Sequence, residues 1–208
     1  DILTKMGRSK PVYAAAEEIP PLRLREPAEF AGLYDPHIWF DPTNAKTMVE
    51  NVRRGLEEVD PEGGEVYRRN AAAYQEQLDQ LDADLRALFG GVPRERLKLV
   101  TYHETFGYLA DRYGLSYVGA IIPSVATGAE PSPRQLGELI GRIKEQGVRA
   151  IFVEGGADPK LAEQIGREAG VLVYANLYGD GLGPLGSGAD TYIGMMLIDA
   201  RNLVNGLK

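Results

Sequence analysis

From Leu97 onward short apolar runs alternate with helical stretches, and no other feature of the chain restricts its fold as tightly. Leu97–Tyr102, Ser116–Ile122, Arg149–Val153 and Val171–Asn176 read as strands. Between them lie a short helix over Glu104–Tyr113 closed by Gly114, and a helix opened by the capping box Ser132-Pro133-Arg134-Gln135 with Leu136, Leu139, Ile140 and Ile143 on one face. Another helix is capped by Asp158-Pro159, and the last runs from Thr191 to about Leu207, entered through a glycine-rich loop over Gly179–Gly188. Strands separated by helical crossovers pair in parallel and bury both faces of their sheet. The expected fold class is α/β.

Upstream the pattern is helical. Asp41-Pro42 supplies an N-cap and a proline at the first helical position, followed by Ala45, Met48, Val49, Val52 and Leu56 at helical spacing. A second helix follows Asp60-Pro61 and runs to about Phe89. Tyr67, Ala71, Tyr74, Leu78, Leu81, Leu85 and Leu88 recur in steps of four and three, which is one narrow buried seam. At 1.5 Å per residue this helix is roughly 40 Å long, more than the width of a small lobe, and so suited to bracing two. At the start, Asp1–Gly7 reads as the closing turn of a helix and Pro11–Ala15 as a short strand. The expectation is that an N-terminal portion belongs ahead of Asp1.

Composition narrows the function. The 208 residues suit one large domain or two small lobes, and 30 acids against 23 bases give a net charge of −7, which excludes a basic nucleic-acid footprint. No apolar run approaches the roughly 20 residues of a membrane span, and with no secretory leader pattern in these residues the expectation is that any export sequence has been removed or was never there. The absence of cysteine excludes disulfides, thiolate metal sites and cysteine nucleophiles, and there are 2 histidines.

In open parallel sheets ligands bind beyond the carboxyl ends of the strands. His103 follows the first strand, Glu154 the third, and Asp190 closes the loop after the fourth; His37 sits in Tyr34-Asp35-Pro36-His37-Ile38-Trp39-Phe40. Two imidazoles and a carboxylate suit a divalent ion such as Zn²⁺ or Mn²⁺, and ligands so far apart in the chain would clamp segments otherwise free to move. Each residue also has a purely structural use: a half-buried hydrogen-bonded histidine, an N-cap at Asp190, backbone amides bonded by Glu154.

Three motifs fail on context. Gly181-Leu182-Gly183-Pro184-Leu185-Gly186 has the letters of a dinucleotide fingerprint, but helix onset comes later, at Asp190. His103-Glu104 is not continued by a second histidine, because position 107 is Gly. Ser187 stands between glycines in a loop with no histidine after it, which is not a nucleophile elbow.

Taken together, Asp35-Pro36-His37-Ile38-Trp39-Phe40-Asp41-Pro42, Asp60-Pro61 with Tyr67-Arg68-Arg69-Asn70, Val100–Tyr108 and Asp190–Met196 resemble successive signatures of the metal-binding substrate-binding proteins of zinc/manganese ABC importers, the cluster A-I or TroA-like family. The resemblance implies two Rossmann-like lobes with parallel sheets joined by one long helix: residues 1–62 the remainder of an incomplete first lobe, 63–90 the linking helix, 91–208 the second lobe. It puts a single metal between the lobes, with His37, His103 and Asp190 as ligands, Glu154 beside the site without ligating, and a fourth ligand, normally a histidine, upstream of Asp1.

Manganese members often carry glutamate where this chain has His103, so Zn²⁺ is favoured over Mn²⁺. The implied partner is the membrane permease of an ABC importer. The place of action is the periplasm or the outer face of the membrane, free or lipid-anchored, and the protein acts as a non-catalytic monomer. The alternative weighed against this is a metal-dependent hydrolase with Glu154 or Glu104 as general base. A role in surface adhesion has no discriminating feature in the sequence.

Overall fold

The structure is a computed structural model describing residues 11–24, 33–122, 131–155 and 157–208. Helix α1 spans Pro42–Val59 and α2 spans Gly64–Gly90, with a 3₁₀ turn at Pro61–Gly63 between them. There follow β1 (Lys98–His103), α3 (Gly107–Tyr113), β2 (Ser116–Ile122), α4 (Pro133–Gln146), β3 (Ala150–Glu154), α5 (Lys160–Ala169), β4 (Leu172–Leu177) and α6 (Tyr192–Leu207). The four strands form one sheet in the order β2-β1-β3-β4, every pair parallel. No helix among the described residues is long and apolar enough to cross a membrane.

The sheet is covered on both faces, and the strand sequences show why. In β3 all five residues are buried: Ile151 and Val153 join a cluster with Leu139, Ile143, Ala162 and Ile165 of α4 and α5. Ala150 and Phe152 point the other way, into a cluster with Leu78, Leu81, Leu85 and Phe89 of α2 and Met196, Ala200 and Leu203 of α6. Successive side chains of a strand face opposite sides, so a strand covered twice has no polar alternation to show.

The helix ends follow local chemistry. Asp41 caps α1, its Oδ1 accepting from Thr43 N at 2.7 Å, and Ser132 with Gln135 closes the capping box of α4. Helix α2 carries its buried side on Ala71, Leu78, Leu81, Leu85 and Phe89, packing against α1 before it and α6 after it. The predicted seam runs to its end, where Leu88 packs half-buried against the core, and Phe89, stacked on Tyr113 at 5.4 Å, adds a fully buried position beside it.

Two expectations need correction. Pro11–Ala15 is not a strand: the segment enters a turn in which Ala14 O accepts from Glu17 N. The Asn51 side chain of α1 donates to Ala15 O at 3.0 Å and Glu17 O at 2.8 Å, replacing the partners a sheet would supply. The last helix is capped by Thr191, whose Oγ1 accepts from Gly194 N, and not by Asp190. The helical turn expected at Asp1–Gly7 lies outside the described residues.

Candidate metal centre

The chain leaves β1 toward β2 on one side and β3 toward β4 on the other, so the crevice between β1 and β3 is where the winding reverses. Ligands gather at such a point in α/β sheets. His103 ends β1 and Glu154 ends β3, and His103 Nδ1 lies 3.5 Å from Glu154 Oε2. A cavity of about 740 Å³ opens there, lined among others by Tyr102, His103, Glu154, Tyr178 and Asp180.

His37 reaches the same place from far upstream. It precedes the 3₁₀ turn Ile38–Phe40, which docks through aromatic contacts: Phe40 packs on Phe106 at 4.4 Å, Tyr192 Oη donates to Trp39 O at 2.7 Å, and Trp39 Nε1 donates to Gly179 O at 3.3 Å. The rings of His37 and His103 are thereby brought to a centroid distance of 5.4 Å. Asp35 fixes the ring of His37, its Oδ1 accepting from both His37 N (2.9 Å) and His37 Nδ1 (2.7 Å). That leaves the lone pair on Nε2, the tautomer a metal ligand needs.

The third member is Asp180, just past β4. Its carboxylate stands 3.5 Å from His37 Nε2 and 3.7 Å from His103 Nε2. One ligand atom from each of His37, His103 and Asp180 lies within 4.8 Å of the others, and among the described residues this is the group able to hold a metal ion. Asp190 stands outside it; its Oδ2 accepts from Gly186 N at 2.8 Å within the glycine-rich loop.

The electrostatics of the crevice are acidic. Burial opposes the charged form of His103, but the hydrogen bond and charge of Glu154, with the charges of Asp180 and Asp35, outweigh it and raise its pKa above the usual histidine value. Glu154 is buried; its carboxylate is set toward Nδ1 of His103 at 3.5 Å and, among the described residues, meets no backbone amide at the strand end. It faces Nδ1 of His103, while Asp180 faces Nε2. The Thr105 hydroxyl also contacts Nε2 of His103.

Two residues escaped the sequence reading. Asp180 follows strand β4 almost at once, and the strand-end rule that found His103 and Glu154 points to it. Asp35, two positions before His37, is reached by asking what would hold that imidazole's tautomer.

A parallel sheet whose switch point gathers two imidazoles and a carboxylate has the donor set of a divalent-metal binder. The chain belongs to the family described as zinc-uptake complex component A, periplasmic, whose model matches residues 1–206. It is 34% identical over 188 residues to the iron-binding protein YfeA of Yersinia pestis, covering 90% of this chain and 60% of that protein. To the manganese-binding lipoprotein MntA of Halalkalibacterium halodurans it is 32% identical over 191 residues, covering 92% of this chain and 63% of that one. The solved structure of the periplasmic zinc-binding protein TroA from Treponema pallidum superposes with a TM-score of 0.87 at 31% identity, covering 99% of this chain and 75% of that one. The chain thus spans less than two thirds of the length of the two curated relatives.

Proposed function

We propose that the protein is an extracytoplasmic substrate-binding protein that captures a divalent transition metal and delivers it to the permease of an ABC importer. His37 and His103 would ligate through Nε2 and Asp180 through a carboxylate oxygen, with Asp35 and Glu154 orienting the two rings from their Nδ1 sides. The observation that carries the reading is the convergence of three ligand atoms within 4.8 Å of one another from segments far apart in the chain. The family is one of non-enzymatic carriers, and the relatives compared are described by the metal they bind, whether iron, manganese or zinc.

Zn²⁺ is the favoured cargo, since two imidazoles beside one carboxylate make a nitrogen-rich set for a borderline-soft ion. Helix α2 is the linking helix of this reading, between a unit over residues 1–62 and one over 91–208. Its packing against α1 on one side and α6 on the other supports that role. A metal held between His37 and His103 would favour the arrangement in which the two segments meet, through its greater affinity for that state.

Calorimetric titration with Zn²⁺ and Mn²⁺ of the wild type, His103→Ala and Asp180→Ala tests the reading. Both substitutions should weaken Zn²⁺ binding at least tenfold. Unchanged affinity in Asp180→Ala with loss in Asp190→Ala would move the carboxylate ligand to Asp190.

A further inference from the structure

We propose that Asp199 is a positioning residue for the metal centre, anchoring the turn that presents Asp180. The inference rests on the reading of His37, His103 and Asp180 as ligands and deepens it.

Asp199 lies on α6, a helix whose buried side otherwise consists of Met195, Met196, Ala200, Leu203, Val204, Gly206 and Leu207, and it is fully inaccessible. An acidic side chain in such a place is costly unless it has a task, and an apolar residue of similar size would serve the core better. Its carboxylate accepts from Tyr178 N at Oδ1, at 3.0 Å, while Oδ2 is buried without a hydrogen-bond partner among the described residues. Tyr178 stands two residues before Asp180.

The turn between them is narrow. A Cβ on Gly179 would lie 3.1 Å from Glu154 Cγ and 3.6 Å from His103 Cε1, so the backbone there rests directly on the ligand shell. On the opposite side Gly179 O accepts from the Trp39 indole. The Asp180 turn is therefore held by two bonds: one from the segment carrying His37, and one from Asp199 on α6. Trp39 also touches the His37 ring, at a centroid distance of 5.5 Å, so replacing it would disturb two ligands together. The bond of Asp199 goes to the Asp180 turn, which makes it the selective probe. Without that acceptor the Tyr178 amide is left unsatisfied and the turn gains freedom, and the exposed Asp180 carboxylate, whose side chain retains 60% of its accessible surface, has little packing of its own to keep it between the two imidazoles.

The test is Zn²⁺ affinity by calorimetry, with folding checked by circular dichroism, for the wild type, Asp199→Leu, Asp199→Asn, Asp180→Ala and the double variant Asp180→Ala/Asp199→Leu. Asp199→Leu should weaken binding about tenfold, the scale of residues that orient metal ligands. Asp199→Asn should stay within about twofold, because its amide oxygen accepts the same N–H. In the Asp180→Ala background the leucine substitution should cause no further loss, since the anchored ligand is already gone. Equal weakening in both backgrounds, or none in either, would overturn the proposal. Wild-type affinity in Asp180→Ala would instead overturn the ligand reading itself. Should Asp199→Leu fail to fold, hydrogen exchange at the Tyr178 amide of the metal-free wild type decides: slow exchange supports the anchor and unprotected exchange refutes it.

Discussion

Asp199 also makes a quantitative claim about stability. Burial, reinforced by the charge of Glu154 and only partly opposed by the Tyr178 N–H, pushes its pKa up from 3.8 to about 8. A carboxyl whose folded pKa lies above its unfolded value contributes its full stability below the unfolded pKa. That contribution is lost progressively as pH rises toward the folded pKa. Four pKa units at about 1.4 kcal/mol each bound the total at about 6 kcal/mol, a large fraction of an ordinary domain's stability. Asparagine has the same shape and no proton to lose. The stability of Asp199→Asn relative to the wild type should therefore climb by about 3–4 kcal/mol between about pH 5 and about pH 8, levelling off above that. Urea unfolding in the presence of a chelator, followed by circular dichroism at several pH values, measures the difference directly, and using the difference cancels the other titrating groups. A difference that stays flat across the range would mean that Asp199 is ionised throughout in the folded protein, and the argument from its burial would be wrong.

Zn²⁺ affinity is expected to fall as pH drops from about 7.5 to about 5.5, because a protonated imidazole cannot coordinate. The raised pKa of His103 lets protons compete from a higher pH than at an ordinary histidine, so a calorimetric series showing constant affinity would count against ligation by that ring. Gly107→Ala should weaken Zn²⁺ binding about tenfold, since its Cβ would collide with Oδ2 of Asp35, the carboxylate that orients His37; unchanged affinity would show that Asp35 does not matter to the ring. Arg112 joins three elements, with Nε 3.1 Å from Asp41 Oδ1 and Nη2 2.7 Å from Asp82 Oδ2, and it holds the Asp82 carboxyl at a pKa of about 2. Arg112→Ala should lower unfolding stability by about 2 kcal/mol, between the values for exposed and fully buried pairs, as read by urea denaturation.

Much of the fold was legible because periodicity and punctuation agreed. The strands at β1 to β4 are apolar runs bounded by turn residues, and Asp41-Pro42 and Ser132–Gln135 are caps whose hydrogen bonds form as their sequence suggests. Where the reading failed, a contact distant in sequence had decided the outcome. Pro11–Ala15 has the composition of a strand, but the Asn51 amide on α1 meets the carbonyl of Ala15 and, in the turn that follows, that of Glu17. At the end of α2 Leu88 packs on the core as its spacing predicts, while Phe89, which the seam omits, is buried against Tyr113, an aromatic partner on another helix.

The site divides along the same line, and its carboxylates show how. Asp190 and Asp180 are both acids in the glycine-rich stretch after β4, and local chemistry favours Asp190, which stands at the start of a helix. An acid in that position is the one most readily occupied by nearby amides: Asp190 takes Gly186 N, leaving the cap to Thr191. Asp180, between two glycines, faces two imidazole nitrogens that approach from β1 and from the His37 turn. Asp35 and Glu154 stand one step back, each set against the Nδ1 side of a histidine. A carboxylate available to a metal is one whose neighbours leave it without local amides to satisfy. That property belongs to the folded arrangement, so a sequence motif leads to the glycine-rich loop after β4 while its spacing leaves the choice between two aspartates to geometry.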